Sequence, residues 1–220
     1  MPYRKWLIGS ALVAVAVFAS MWIGYAQHWP WLAAADAAAL QPLDRFGSAH
    51  PAWVIGWDVY CIVLGPTVLR LAGVVLIAVA VIRRRFRSAL FLVLTVELSG
   101  PLLVIAKAVA GRQRPATALV TAQSTSFPSG HALGLMVIVL AALTVALPLL
   151  SSAARRWAIA LGVVLIATIG AGRVVLNVHH PSDVVAGWAL GYAYFVVCWL
   201  LYPPRVSPTD ETPAAPGTRL

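Results

Sequence analysis

The chain has 220 residues, 61% of them apolar and only 10% charged. Soluble domains carry about a quarter charged residues, so a water-soluble globule is excluded. The formal net charge of +9 raises the question of nucleic acid. The cations sit at the ends of apolar runs and not in one basic stripe, so no nucleic-acid partner is expected.

A helix crosses the hydrocarbon core with about 20 apolar residues. Six stretches meet that length: 6–26, 59–82, 88–110, 131–150, 157–178 and 184–202. Runs such as "LAGVVLIAVAVI" are continuous, whereas a membrane β-barrel alternates apolar and polar residues. The expected fold is all-α: a polytopic membrane protein with six transmembrane helices in one bundle.

The first span follows "MPYRK" and is longer than a signal-peptide core, so it reads as an uncleaved anchor. Residues 27–52 form the longest connection on the opposite side, and "WLAAADAAAL" within it reads as a short interfacial helix flanked by Trp29 and Trp31. Between spans two and three lies "RRRFR". Lys and Arg accumulate in cytoplasmic loops, so both termini are expected inside. Cys61 and Cys198 fall within spans and read as small buried residues. One domain is expected over residues 1–202. The proline-rich polar stretch 203–220 reads as a disordered cytoplasmic tail.

Two connections then emerge on the outer face: "GRQRPATALVTAQSTSFPSG" between spans three and four, and "HHPSD" between spans five and six. Three clusters lie on or beside them. Lys107 and Arg114 bracket the first, Pro128 to His131 ("PSGH") close it, and Arg173, His179 and Asp183 frame the second. Lys107, Arg114 and Arg173 place three cations on one face, and a guanidinium matches phosphate oxygens in a fork. Ser129 and Gly130 open the fourth span, where free backbone N–H groups favour an anion. Pro181 breaks any continuous helix, leaving Asp183 or Ser182 to cap the sixth span. Asp183 is then placed to accept from the His179 ring and orient it. The other ring nitrogen is free to attack phosphorus, and His131 is placed to protonate a leaving oxygen.

These clusters resemble the type-2 phosphatidic acid phosphatase superfamily, which includes lipid phosphatases and vanadium haloperoxidases. The motif Lys-x6-Arg-Pro is matched by Lys107, Arg114 and Pro115, and Pro-Ser-Gly-His by Pro128 to His131. The third motif, Ser-Arg-x5-His-x3-Asp, is matched at Arg173, His179 and Asp183, with Gly172 in place of the serine. The resemblance covers residues 100–190 most strongly. It implies metal-independent phosphoester hydrolysis with no cofactor, through a phosphohistidine on His179. His131 would be the acid, with Lys107, Arg114, Ser129, Gly130 and Arg173 holding the phosphate. The implied partner is a membrane lipid phosphate: phosphatidic acid, phosphatidylglycerol phosphate or a polyprenyl diphosphate. No obligate protein partner is expected.

Other residues read more plainly. Arg70 and Glu97 lie within spans, where ionisable groups are normally paired, and are expected to bridge spans two and three. Arg112 reads as a surface residue or a lipid contact, His180 as a bystander, and Asp58 as a rim or capping residue. A phosphotransferase would use the same site. A transporter would spread polar groups through the bilayer midplane, and here they cluster at one face. A vanadate peroxidase of this family would be a largely soluble helical domain. The Ala-rich, Arg-over-Lys usage fits a bacterial plasma membrane.

Overall fold

A computed structural model describes residues 2–204. The expected tail from residue 205 onward lies outside the described residues. Among those described the chain is helical, with no strand. The helices are α1 (Pro2–Ala26), α2 (Pro30–Ala49), α3 (Pro51–Val63), α4 (Pro66–Ile82), α5 (Phe86–Leu92), α6 (Ser99–Ala110), α7 (Gly130–Ala146), α8 (Ser152–Val175) and α9 (Pro181–Leu201). They make six segments long and apolar enough to cross a membrane. Large apolar side chains such as Leu71, Ile82, Val104, Val109 and Leu161 point outward, as a lipid-facing surface requires. The six-helix expectation holds.

Three features depart from the expected boundaries. The second span runs from Pro51 to Ile82 and is interrupted at Leu64–Gly65. Pro66 has no N–H to continue the α3 ladder and instead begins α4 at its first position, where that donor is not needed. The third span contains a π-helical turn over Val93–Glu97. The segment expected as a short interfacial helix is the 20-residue α2, and it packs on α8 and α9. Its buried residues are Leu32, Asp36, Leu40 and Gly47, so one face is committed to the bundle. Cys61 and Cys198 are buried free thiols.

The centre of the bundle is α7, which packs on both α8 and α9. Small residues let these helices close to backbone contact, as in many membrane helix pairs. A Cβ at Gly187 of α9 would lie 2.6 Å from the Ser129 carbonyl and 2.9 Å from Ala132 Cβ. In addition, the Ser129 N–H donates to the Asp183 carbonyl at 2.9 Å. The start of α7 and the start of α9 are thus joined backbone to backbone. The C-termini of α6 and α8 reach the same end of the bundle, and all the expected site residues gather there.

Candidate active site

Each side chain is placed by the end of a helix. α6 stops at Gly111, which takes a left-handed φ of +61° that glycine adopts without steric penalty. The chain then folds back over Lys107 and Arg114. Lys107 Nζ donates to the Thr125 carbonyl. Arg114 Nε donates to the Ser124 carbonyl at 2.7 Å, and its Nη1 to the Val178 carbonyl at 2.6 Å. These bonds fix the loop that leads, through a cis Phe127–Pro128 bond, into α7. Ser129 is fully buried and caps α7, its hydroxyl accepting the Ala132 N–H at 3.4 Å. Its own N–H is taken by Asp183, so the first turn of α7 offers an anion the N–H groups after it. Arg173 ends α8, is 6% exposed, and has a buried Nε with no hydrogen-bond partner among the described residues.

A cavity of about 300 Å³ is bordered by Lys107, Arg114, Gly130, His131, Arg173 and His179. The connection between the third and fourth spans and the one between the fifth and sixth therefore meet, and both histidines face one space. Ser129 and Asp183 stand behind its wall. Asp183 is fully buried. Its Oδ2 lies 3.5 Å from His179 Nδ1 and accepts the His180 N–H at 2.9 Å and the Ser126 hydroxyl. Arg114 Nη1 lies 3.3 Å from His179 Nε2. A guanidinium only donates, so Nε2 presents its lone pair to the cavity side and the ring proton belongs on Nδ1, toward Asp183.

His179 is only 2% exposed. Burial pushes its imidazole down to about 4, against the opposing pull of Asp183 and with further lowering from Arg114 and Arg173. The ring is therefore neutral near pH 7, the form in which nitrogen is nucleophilic. Burial also lowers Arg114, with a contribution from the neighbouring Arg173 charge.

Several residues differ from their expected roles. Arg112 is not at the surface: it is 8% exposed and forms ion pairs with Asp36 at 2.8 Å and Asp183 at 2.7 Å. Asp36 also accepts from Ser182 N at 3.0 Å and Ser182 Oγ at 2.6 Å. A buried carboxylate needs such a partner because desolvation of an unpaired charge is costly. Asp36 carried no signal in the sequence beyond being an acid in an apolar helix. The cap of α9 is His180, whose backbone N–H bonds Asp183 and whose ring Nδ1 lies 3.2 Å from it. His180 is thus a structural partner of Asp183 and not a bystander. Ser182 is spent on Asp36 and Arg112. Among the described residues Arg70 and Glu97 form no ion pair. Arg70 Nη2 donates to Ser99 Oγ at 2.9 Å, and the Arg70 side chain borders the cavity.

The glycine at 172 has a steric reason. A Cβ there would lie 2.7 Å from Cys61 Sγ and 2.8 Å from Trp57 Cε3. The space that a serine would take is filled by α3.

The chain belongs to the PAP2 superfamily, whose family model matches residues 86–207. It is 41% identical over 66 residues to an undecaprenyl-diphosphatase of Sulfolobus acidocaldarius, covering 30% of this chain and 28% of that protein. It is 38% identical over 93 residues to a decaprenylphosphoryl-5-phosphoribose phosphatase of Mycobacterium tuberculosis, covering 40% and 46% respectively. The chain thus spans less than half the length of the curated relatives it matches. The fold matches a transmembrane PAP2-type phosphatidylglycerolphosphate phosphatase from Bacillus subtilis with a TM-score of 0.73. That match covers 89% of this chain and 94% of the other at 23% identity, a level at which the likeness concerns the fold.

Two outcomes are expected. Replacing Arg112 with alanine strands two buried carboxylates and should cost about 3–5 kcal/mol, read as a lowered thermal midpoint in detergent. An unchanged midpoint would show that the pairs contribute nothing. NMR of histidine-labelled protein should place the His179 titration near 4 and not near the ordinary value of about 6.5. In that window the unfolded ring binds the proton more readily than the folded one. The stability contributed by this site therefore falls as pH drops from about 6.5 toward 4.

Proposed function

We propose that the protein hydrolyses the phosphate monoester or diphosphate of a membrane lipid through a phosphohistidine on His179. The observation that carries this reading is that His131 and His179 border one cavity together with Lys107, Arg114 and Arg173. The names of the relatives, two lipid-linked phosphatases among them, support the same chemistry.

In this reading the phosphoryl group sits among Lys107, Arg114, Arg173 and the N–H groups opening α7, whose dipole favours the anion. Neutral His179 attacks with Nε2, forming an N–P bond as the bond from phosphorus to the leaving oxygen breaks. Asp183 keeps the proton on Nδ1 and stabilises the cation that develops on the ring. His131 gives its proton to the leaving oxygen and then accepts one from the water that cleaves the N–P bond. Inorganic phosphate departs and both rings return to their starting states. The cations do in place what a metal would do: they neutralise charge on the equatorial oxygens. Ser129 acts by holding the turn that carries Gly130 and His131.

The "RRRFR" turn between α4 and α5 lies at the opposite end of the bundle from the cavity. With that turn cytoplasmic, the site opens at the extracytoplasmic face of the plasma membrane and both termini lie inside. There the cavity stands at the depth of a lipid headgroup.

Phosphate release by the purified protein, measured on a lipid panel with chelator present, should persist. His179→Ala should abolish it, and His131→Ala should reduce it by about 10²–10⁴-fold, the usual range for a positioned acid. Robust turnover by His179→Ala would remove the nucleophile assignment. Sidedness is read separately. A cysteine replacing the exposed Ala116 should react with an impermeant reagent applied from outside intact cells; labelling solely in inverted membranes would reverse the orientation.

A further inference from the structure

Arg70 is a fourth cation on the same cavity, contributed by α4. A cation within a membrane span is costly and is normally paired. Among the described residues Arg70 has no carboxylate partner. Its one hydrogen bond goes to the neutral Ser99 hydroxyl, and its Nε is buried without a partner. The guanidinium lies against Gly100, where a Cβ would come within 3.3 Å of Nη1. The α6 helix thus leaves room for this side chain in place.

The position of Arg70 matters for the direction of the reaction. In-line displacement puts the leaving group opposite His179, beside the acid His131. His131 Nε2 lies 3.3 Å from the Cβ position of Gly65, the residue that precedes α4. A group leaving past His131 therefore meets the first turns of α4, which bring Thr67 and Arg70 to the cavity. A simple alcohol needs no cation there once it has been protonated. A leaving group that is itself a phosphate does.

Resting on the hydrolase reading above, we propose that Arg70 binds the leaving phosphate and makes the site selective for lipid diphosphates over lipid monophosphates. The terminal phosphoryl group transfers to His179 Nε2 as its bond to the bridging oxygen breaks. The bridging oxygen stays with the lipid monophosphate, held by Arg70, and water then releases inorganic phosphate from His179. Lys107, Arg114 and Arg173 serve the transferred group and Arg70 the departing one.

Farnesyl diphosphate and farnesyl monophosphate share one tail and differ in the second phosphate, so they isolate this contact. The unmodified protein should favour the diphosphate in kcat/KM by at least about tenfold, the scale of one charged hydrogen bond. Arg70→Gln should lower kcat/KM for the diphosphate by about 10- to 100-fold and leave the monophosphate within about threefold. Arg70→Lys should recover part of the loss. An equal loss on both compounds, or none on either, overturns the proposal. Should Arg70→Gln not fold, the selectivity of the unmodified protein decides alone, and a preference for the monophosphate overturns it. Turnover of neither compound nor of phosphatidic acid would instead defeat the hydrolase reading, and this proposal with it.

Discussion

The site depends on a carboxylate held out of water. Asp183 is fully buried, and an isolated ion there would be expensive. Arg112 stabilises it from one side, while Ser126 and the His180 N–H donate to the oxygen that faces His179. This oxygen lies 3.5 Å from His179 Nδ1, and its charge favours the tautomer with the ring proton on that nitrogen. The positive partner is shared with Asp36, so α2 is tied into the same network. A helix that looks peripheral in the chain thereby stabilises the position of the ring.

The remaining architecture supplies the opposite sign. Four cations border the cavity, and none of them has a carboxylate within ion-pair distance among the described residues. The two carboxylates behind the wall share one cation, Arg112. The interior is therefore electropositive toward the cavity, while the cluster behind its wall keeps a net negative charge that faces His179. Such an arrangement favours a multiply charged anion. The backbone joint between α7 and α9 ties the turn that carries His131 to the turn that follows His179.

Much of this was legible in the sequence because it is local. Continuous apolar runs read as spans, and Pro181 marked a helix break. Lys107, Arg114, His131, Arg173 and His179 could be grouped because connections on one face must approach each other. The unread parts are contacts between distant positions. Asp36 and Ser182 meet across 146 residues, and no periodicity encodes that meeting. Arg112 read as a surface residue because a cation in a polar loop usually is one. Arg70 and Glu97 were matched by opposite sign and adjacent spans. The π-helical turn at Val93–Glu97 and the break at Gly65 alter helix phase, and Arg70 turns to the cavity instead. Ser129 was read as a donor to phosphate, but its N–H is committed to the neighbouring helix.

The glycine at 172 binds its identity to residues more than a hundred positions earlier. Trp57 and Cys61 occupy the volume that a hydroxymethyl group would need. Restoring the family's serine alone would wedge α3 away from α8 and tilt the broken second span, on whose lower half Arg70 stands. In any relative that carries serine here, a smaller residue across the gap is the natural accompaniment, so these positions should be exchanged together or left alone.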